Sequence, residues 1–302
     1  LKKAIELKPL FPEAYNNLGK ALTSLGKNDQ AIISFRKAIE LKPDYVKAHS
    51  NLGMALSTQS KFTEAAEHFK LCDTDKSQSY LLRCLYNGGE ISLFDEHLNR
   101  LVEQKKCNAI IGSTVSRANI NYRDKRLNLF CDDPLSYVVK TDLKLICDFE
   151  NTFQRPLKSI LDQNKTPERK QGLLTNGSQT SGNLFVNNAD ITSHVKKVID
   201  FEIQKYRKQF QSSNEGFIKN WPSDYTLFGW LISMDSGGEL RPHMHERGWI
   251  SGSIYINVPP KINNDNGNLV VCIEDEEFVE RKIKNPKKVI NVITGSLALF
   301  PA

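Results

Sequence analysis

Two histidines, His243 and His245, are separated by one residue in the segment RPHMHERGWISGSIYINVPP, which spans residues 241–260. If residues 239–246 are extended, side chains two positions apart point to the same side, so both imidazoles can reach one ion. Glu246 then faces the opposite side. Neutral imidazole nitrogens are common metal ligands. We therefore predict a metal site that uses His243 and His245.

The residues around the histidine pair follow a pattern of short strands and turns. Ser236-Gly237-Gly238 predicts a turn before the pair, and a strand that closes at Pro259 follows it. Several short strands after one or two helices are typical of a compact β-sandwich or jelly roll with helices on one side. We predict one amphipathic helix at 189–210, with Val195 and either Phe201 or Ile203 on its inner face. The predicted strands lie at 226–234, 250–258, 268–273, 288–293 and 296–300, and a turn contains residues 265–267.

The order of these motifs resembles the iron(II)- and 2-oxoglutarate-dependent oxygenases. In that family a double-stranded β-helix carries an H-x-D/E pair, and a later strand reads G-x-L-x-x-F-P, which matches residues 295–301. The most similar branch has H-x-H followed by W/F-x-S-G-x-x-Y-x-x-x-P. The resemblance covers residues 170–302 and implies iron(II) and 2-oxoglutarate as cofactors. The residues of this chain that match the branch motif are Trp249, Ser251, Gly252, Tyr255 and Pro259.

Two features depart from the family pattern. His245 stands where Asp or Glu is usual in the two-histidine, one-carboxylate triad. Either three nitrogens bind the metal, or Glu246 turns inward, or His245 is not a ligand, and we favour His245 as a ligand. The resemblance also implies a distal histidine and a basic anchor for 2-oxoglutarate soon after Ala302, so neither is named here. In the same role Tyr255 and Arg241 could line the pocket; the alternatives are a core tyrosine and a solvated arginine.

The N-terminal sequence repeats with a period of 34 residues. KAIELKP occurs at 3–9 and again at 37–43. Self-similarity at this period indicates one helix–turn–helix unit per repeat, with neighbouring units burying each other's apolar faces. The repeat resembles the tetratricopeptide repeat. The residues that carry this resemblance are Tyr15, Leu18, Gly19, Ala31, Phe35 and Pro43.

Asn17 and Asn51 occupy equivalent positions of the repeat, off its apolar stripe. The resemblance places this position on the face that lines the concave groove of the family. A carboxamide there can both donate to and accept from an extended peptide backbone. We predict that both asparagines bind a peptide or protein partner; the alternative is that they are solvated polar positions.

The sequence pattern divides the chain into four parts. The predicted fold class is α+β, an N-terminal α-solenoid followed by a double-stranded β-helix, or jelly roll, with flanking helices. Leu1 falls inside a helical pattern and the final strand pattern is cut short at Ala302, so we expect a fragment at both ends. The predicted parts are tetratricopeptide repeats at 1–72, a degenerate helical cap at 73–127, a connecting segment at 128–169 and an incomplete oxygenase-like domain at 170–302.

Composition narrows the possible partners and the compartment. The formal net charge is +6, but the densest basic stretch, 279–288, contains no aromatic residues, which argues against nucleic acid as a partner. No apolar run reaches about 18 residues, so we predict no membrane span. The six cysteines are widely spaced, which indicates reduced thiols and a cytoplasmic location. The acidic run at 274–277 lacks the ligand spacing of a calcium loop.

These patterns favour an iron(II)/2-oxoglutarate-dependent oxygenase, a hydroxylase whose repeats bind a peptide or protein. One alternative is a non-catalytic tetratricopeptide scaffold with an oxygenase-like domain that binds a ligand. The other is a cupin-type metal barrel. Gly237 and the two histidines fit the start of the first cupin motif, but Trp249 and Ile250 stand where that motif needs a glutamate.

Overall fold

The computed structural model of this chain describes residues 2–162, 168–169, 172–261, 267–273 and 286–302. The acidic run at 274–277 and most of the turn predicted at 265–267 lie outside these residues. The chain divides into two compact units. The four sequence segments and their boundaries stay a prediction. The first unit comprises Leu1–Lys106 and Ser113–Ala118, and the second comprises Cys107–Gly112 and Asn119–Ala302.

Paired helices build the first unit, as the 34-residue period predicts. Consecutive helices pack against each other along the chain. Pro12 begins one helix at a position where its missing N–H is not needed, and Pro43 lies in the turn between two others. The helices are α1 (Lys2–Leu7), α2 (Pro12–Ser24), α3 (Asn28–Leu41), α4 (Val46–Ser57), α5 (Phe62–Lys70), α6 (Asp75–Asn87) and α7 (Ile91–Glu103), and α8 (Ala109–Tyr122) contributes residues to both units.

A close helix contact explains why the repeat keeps glycine and phenylalanine at matched positions. A Cβ atom at Gly19 would lie 2.4 Å from Cε1 of Phe35. One repeat later, a Cβ atom at Gly53 would lie 2.9 Å from the ring of Phe69. Both phenylalanine rings are buried. The absence of a side chain at each glycine therefore lets the two helices of a repeat approach each other.

The second unit has an apolar core formed largely by helices and aromatic rings. A π-helical turn at Glu150–Gln154 leads into α9 (Arg155–Asp162), and α10 (Leu184–Asn187) precedes the long helix α11 (Ala189–Gln209). A short helix, α12 (Gly216–Lys219), follows. The core side chains include Phe149, Phe153, Val195, Ile203, Tyr206 and Phe217.

In helix α11 one of the two alternative inner-face residues, Ile203, is buried. Val195 and Ile203 are buried in the core, whereas Phe201 is 60% exposed. Tyr206 lies one turn beyond Ile203, and its hydroxyl donates to the Tyr137 carbonyl over 2.7 Å. Ile203, not Phe201, therefore continues the apolar stripe of this helix.

The strands of the second unit form three small antiparallel sheets. The strands are β1 (Val139–Asp142), β2 (Glu168–Arg169), β3 (Leu174–Thr180), β4 (Ile232–Leu240), β5 (Ile250–Ile254), β6 (Leu269–Cys272), β7 (Lys287–Ile290) and β8 (Ser296–Pro301). One sheet has the order β1-β8-β5, the second β2-β3-β4, and the third pairs β6 with β7. Within the described residues these sheets do not close into a barrel or jelly roll, so only the coarser prediction of short antiparallel strands with helices is seen.

The prediction of a strand at 226–234 is wrong in its position, because β4 begins at Ile232. The side chain of Asn183 takes the place of a neighbouring strand. Its Nδ2 donates to the Leu227 carbonyl over 2.9 Å, and its Oδ1 accepts from the Gly229 amide over 3.1 Å. The backbone of residues 227–229 is therefore hydrogen-bonded to a side chain and does not form a ladder with a neighbouring strand.

None of the described helices is both long enough and apolar enough to cross a bilayer. All six cysteines lie in the described residues and none forms a disulfide.

Candidate metal site

His243 and His245 lie in an irregular segment between β4 and β5. Strand β4 ends at Leu240, so the extended geometry considered for residues 239–246 is part of a strand only at residues 239–240. The two rings nevertheless lie side by side, with centroids 5.1 Å apart and planes inclined at 60°. The two imidazoles therefore come together without the strand geometry from which their proximity was predicted.

His245 is held by a hydrogen bond at one ring nitrogen only. Its Nδ1 lies 2.9 Å from Oγ of Ser251, which is only 4% exposed. Its Nε2 is buried and has no hydrogen-bond partner among the described residues. Burial, together with the nearby ring of His243, lowers the pKa of His245 to about 4. The ring is therefore neutral near pH 7, which is the state a metal ligand needs.

His243 is exposed and is held in a similar way. Its Nδ1 lies 3.0 Å from the carbonyl oxygen of Arg241. A carbonyl can only accept, so Nδ1 carries the proton and Nε2 keeps its lone pair when the ring is neutral. Histidines that bind metals commonly donate the other ring N–H to a backbone carbonyl or a similar acceptor. Both rings of the pair thus have Nδ1 bonded to the protein and Nε2 left over.

Aromatic side chains that the sequence analysis missed lie beside the histidines. Trp230 packs edge-to-face with His245, with ring centroids 5.3 Å apart and planes at 86°. Phe228 packs on Trp230 at a centroid distance of 5.9 Å and is 64% exposed. Trp230 and Phe228 precede β4 at alternate positions, so an alternating aromatic pattern was the available signal.

The residues of the W-x-S-G motif each have a structural role next to the site. The Trp249 indole donates to the Phe217 carbonyl over 2.7 Å, which fixes the segment to the core. Ser251 orients His245. A Cβ atom at Gly252 would lie 2.9 Å from Cδ2 of Leu299 on β8, so this position has little room for a side chain. The motif therefore orients His245 and fixes the adjoining segment to the core and to β8.

The side chains of the other residues predicted near the metal make the following contacts. Arg241 donates from Nη2 to the Gly172 carbonyl over 2.9 Å. Tyr255 packs against a small apolar cluster that includes Ile290, and burial raises its pKa to about 12. Glu246 begins the turn that follows His245. The surroundings of Arg241 and Tyr255 match the structural alternatives stated for them, and their pocket roles stay predictions.

Two histidines are fewer ligands than a metal site usually has. No group of three or more His, Cys, Asp or Glu side chains that could hold a metal occurs within the described ranges. The donor chemistry of His243 and His245 fits iron(II), and the unbonded buried Nε2 of His245 is the nitrogen that such a metal would use. The residues present therefore fit part of an iron(II) site.

The two asparagines of the repeats differ in their surroundings. Asn17 is exposed on α2. Asn51, on α4, is half-buried, and its Nδ2 donates to Oδ1 of Asn16 over 2.8 Å. Asn51 thus uses part of its hydrogen-bonding capacity between repeats, and Asn17 keeps its amide toward solvent. Partner binding by either residue stays a prediction.

Protein-family models match a segment at each end of the chain. Residues 1–33 match a family described as tetratricopeptide repeat, and residues 19–60 match one described as TPR repeat. Residues 229–302 match the family described as "Putative 2OG-Fe(II) oxygenase", in which 2OG is 2-oxoglutarate. The chain therefore has tetratricopeptide repeats in its N-terminal part and a domain of this oxygenase family at its C-terminal end. The resemblance to the repeats is confirmed, and the resemblance to the oxygenases, predicted for 170–302, is confirmed over residues 229–302.

Solved structures with detectable similarity are distant. YrrB, a tetratricopeptide protein with an unusual peptide-binding site, is 20% identical over 40% of this chain and 68% of its own, with a TM-score of 0.34. The N-terminal domain of stress-induced protein-1 from C. elegans is 18% identical over 34% and 91% (TM-score 0.31). A "protein binding protein" from Bacteroides ovatus is 14% identical over 70% and 91% (TM-score 0.23). No curated protein sequence matches the chain.

Proposed function

We propose that this protein is an iron(II)/2-oxoglutarate-dependent oxygenase, a hydroxylase, whose tetratricopeptide repeats bind a peptide or protein. The observation that carries the proposal is the state of His245. Its Nδ1 is bonded to Ser251, and its buried Nε2 has no partner within the described residues. Leaving a buried polar atom unsatisfied costs about 1–3 kcal/mol, and ligation of a metal removes that cost.

The chain's own residues prepare the site in three ways. The Arg241 carbonyl and the Ser251 hydroxyl bond Nδ1 of the two rings, which leaves each Nε2 as the metal-facing nitrogen. Burial keeps His245 neutral at physiological pH. Trp230 covers one side of the His245 ring and limits the access of water to it. When bound, iron(II) and 2-oxoglutarate would supply the chemistry that this family uses to hydroxylate a C–H bond, with O2 as the oxidant and with 2-oxoglutarate oxidised to succinate and CO2.

The remaining ligand positions are inferred from the course of the chain. In the resembled family a distal histidine and a basic anchor for 2-oxoglutarate follow the G-x-L-x-x-F-P strand, which is β8 here. The Ala302 amide donates to the Trp249 carbonyl over 3.3 Å, and a Cβ atom at Gly248 would lie 2.9 Å from Ala302 Cβ. The C-terminal end of β8 therefore lies next to the segment that carries the histidines. This proximity supports the proposal that a third ligand and a 2-oxoglutarate anchor, which the family places after this strand, would lie near His243 and His245.

We also propose the finer fold and the location. The full register of β5 with β8, from Ile250 opposite Pro301 to Ile254 opposite Leu297, supports a double-stranded β-helix that includes these strands. The six free thiols support a cytoplasmic location. For the repeats, the exposed amide of Asn17 and the adjacent Asn51 support binding of a peptide backbone.

One observation favours the non-catalytic alternative. Within the described residues only two histidines are close together, and no third metal-binding side chain joins them. A scaffold that keeps an oxygenase-like frame without turnover would have this arrangement. A cupin-type barrel has less support, because Trp249 and Ile250 occupy the positions where its glutamate is expected.

The experiment uses the full-length protein. Iron(II) and then 2-oxoglutarate are added without oxygen, and the weak visible charge-transfer band of the iron(II)–2-oxoglutarate complex is recorded. We expect the band in the parent protein and in His194→Ala, which changes an exposed histidine of α11. We expect no band in His243→Ala. A parent protein that binds iron(II) without forming the band would instead indicate a metal-binding scaffold.

A further inference from the structure

Two histidines remote in sequence from the candidate metal site are joined within the second repeat. His49 lies on α4 and His68 on α5, and their Nδ1 atoms are 3.0 Å apart. The ring centroids are 5.2 Å apart. His49 Nε2 lies 2.8 Å from the carbonyl oxygen of Pro43, in the turn before α4. A chain of hydrogen bonds thus connects the end of one repeat with both helices of the next.

This chain of bonds defines the tautomers of the two neutral rings. The Pro43 carbonyl can only accept, so His49 carries its proton on Nε2 and has a lone pair on Nδ1. His68 must then donate its Nδ1–H to Nδ1 of His49, and its own Nε2 keeps a lone pair. The arrangement is complete only while His49 is neutral.

Protonation of both rings removes this bond. A proton added to Nε2 of His68 leaves the bond in place but puts a positive charge beside His49, which is only 5% exposed. A further proton added to Nδ1 of His49 would point at the N–H of His68, so a donor would face a donor. Two positive rings at this separation repel each other, and burial limits the screening by water. The pair is therefore stable as two neutral rings and unstable as two cations.

The charged groups around the pair do not reverse this effect. Burial, then the ring of His49, lowers the pKa of His68 from its ordinary value of 6.5. Glu64 and Glu67 on α5 act in the raising direction, and Arg36 on α3 acts in the lowering direction.

Two other contacts of α4 involve neutral side chains. Between α4 and α6 the nearby contact is between the hydroxyls of Ser50 and Ser77, which are neutral. The thiol of Cys72 donates weakly to the Val46 and His68 carbonyls, and burial raises its pKa. The Cys72 thiol is therefore neutral wherever His68 titrates.

We propose that the His49–His68 pair is a proton-sensitive latch between α4 and α5, closed while His49 is neutral and opened when acid protonates both rings. Because folding lowers the pKa of His68, the unfolded chain binds more protons than the folded chain as pH falls below about 6.5. The stability that burial of a neutral His68 contributes is thus present above that pH and is lost progressively as the pH falls below it. Since α4 also carries Asn51, opening would disturb the predicted groove; this consequence rests on the proposed function.

The test is hydrogen exchange of the whole chain at pH 7.5 and 5.0, corrected for the intrinsic exchange rate at each pH. We expect amide protection in α4 and α5 to fall roughly tenfold at the lower pH, which corresponds to the loss of one buried hydrogen bond. His68→Gln retains an N–H that can donate to His49 but does not titrate near pH 6. We expect its protection in α4 and α5 to depend much less on pH, whereas His194→Gln should behave as the parent protein does.

A second measurement does not depend on any variant. Nitrogen-15 NMR of the histidine rings at pH 7.5 should show His49 protonated on Nε2 and His68 on Nδ1, and the pKa of His68 should lie below the ordinary histidine value of 6.5. The proposal is overturned if the tautomers are reversed, if the pKa of His68 is 6.5 or higher, or if His68→Gln keeps the full pH dependence of exchange.

Discussion

Oγ of Ser251 lies 2.9 Å from Nδ1 of His245, and it reaches this position from β5, which pairs along its whole length with β8. The sheet therefore fixes the hydroxyl, and the hydroxyl in turn fixes the ring. A partner of this kind orients a metal-binding histidine and sets the nitrogen that faces the metal.

Removal of this hydroxyl should weaken metal binding without removing a ligand. We expect Ser251→Ala to reduce the affinity for iron(II) by roughly 10–100-fold, because loss of an orienting partner typically has that effect. Anaerobic calorimetry measures the affinity. Ser253→Ala, a half-buried serine two residues further along β5, is the matched control and should bind as the parent protein does. Equal affinities in the two variants would contradict the role of Ser251.

Trp230 should report on the occupancy of the site. Its ring centroid is 5.3 Å from that of His245, so a bound transition-metal ion with absorption in the visible range should quench its fluorescence. We expect cobalt(II) to quench the emission of the parent protein and to have much less effect on Trp230→Phe. Trp221→Phe is the control and should retain the quenching. Undiminished quenching in Trp230→Phe would mean that the ion binds elsewhere.

Gly19→Ala tests the close contact that defines the repeat. Alanine is favoured over glycine in a helix by about 1 kcal/mol, but its Cβ would lie 2.4 Å from the buried ring of Phe35. Overpacking of this kind costs about 1–3 kcal/mol, so we expect a net loss of stability and a lower Tm for the first unit. Gly172→Ala, where a Cβ atom would meet nothing within 4 Å, is the control. A Tm that rises in Gly19→Ala would contradict the packing described here.

Cys107 should resist alkylation in the native protein. Burial raises the pKa of its thiol from 9.0 to about 11, partly offset by the side chain of Asn220. Two pKa units reduce the reactive thiolate roughly a hundredfold at pH 8, so native labelling by iodoacetamide should be slower by about that factor than labelling of the unfolded chain. Mass spectrometry of the labelled peptides gives both rates. Comparable rates in the two states would show that Cys107 is not held in this environment.

The sequence predicted the repeats better than it predicted the β domain. Contacts such as Gly19 with Phe35 recur one repeat later, so the 34-residue period alone indicated them. The start of β4 was predicted wrongly, because the side chain of Asn183, more than 40 residues earlier, satisfies the backbone before it. No local pattern contains that partner.

The sequence predicted the candidate site only in part, because some of its contacts also join residues that are distant in sequence. The spacing of His243 and His245 indicated the pair, although an irregular segment and not a strand brings the rings together. Ser251 was visible in the motif, but its bond to His245 depends on the pairing of β5 with β8, which is a tertiary contact. Trp230 lies 15 positions before His245 and meets it only in the folded chain.

The most direct test of the proposed metal site is an anaerobic titration of iron(II) into the full-length protein, compared with its His245→Ala and His194→Ala variants. We predict one iron(II) bound per chain in the parent protein and in His194→Ala, and binding weakened at least a hundredfold in His245→Ala. If His245→Ala bound iron(II) as tightly as the parent protein, the buried Nε2 of His245 would not be a metal ligand, and the proposed site would be wrong.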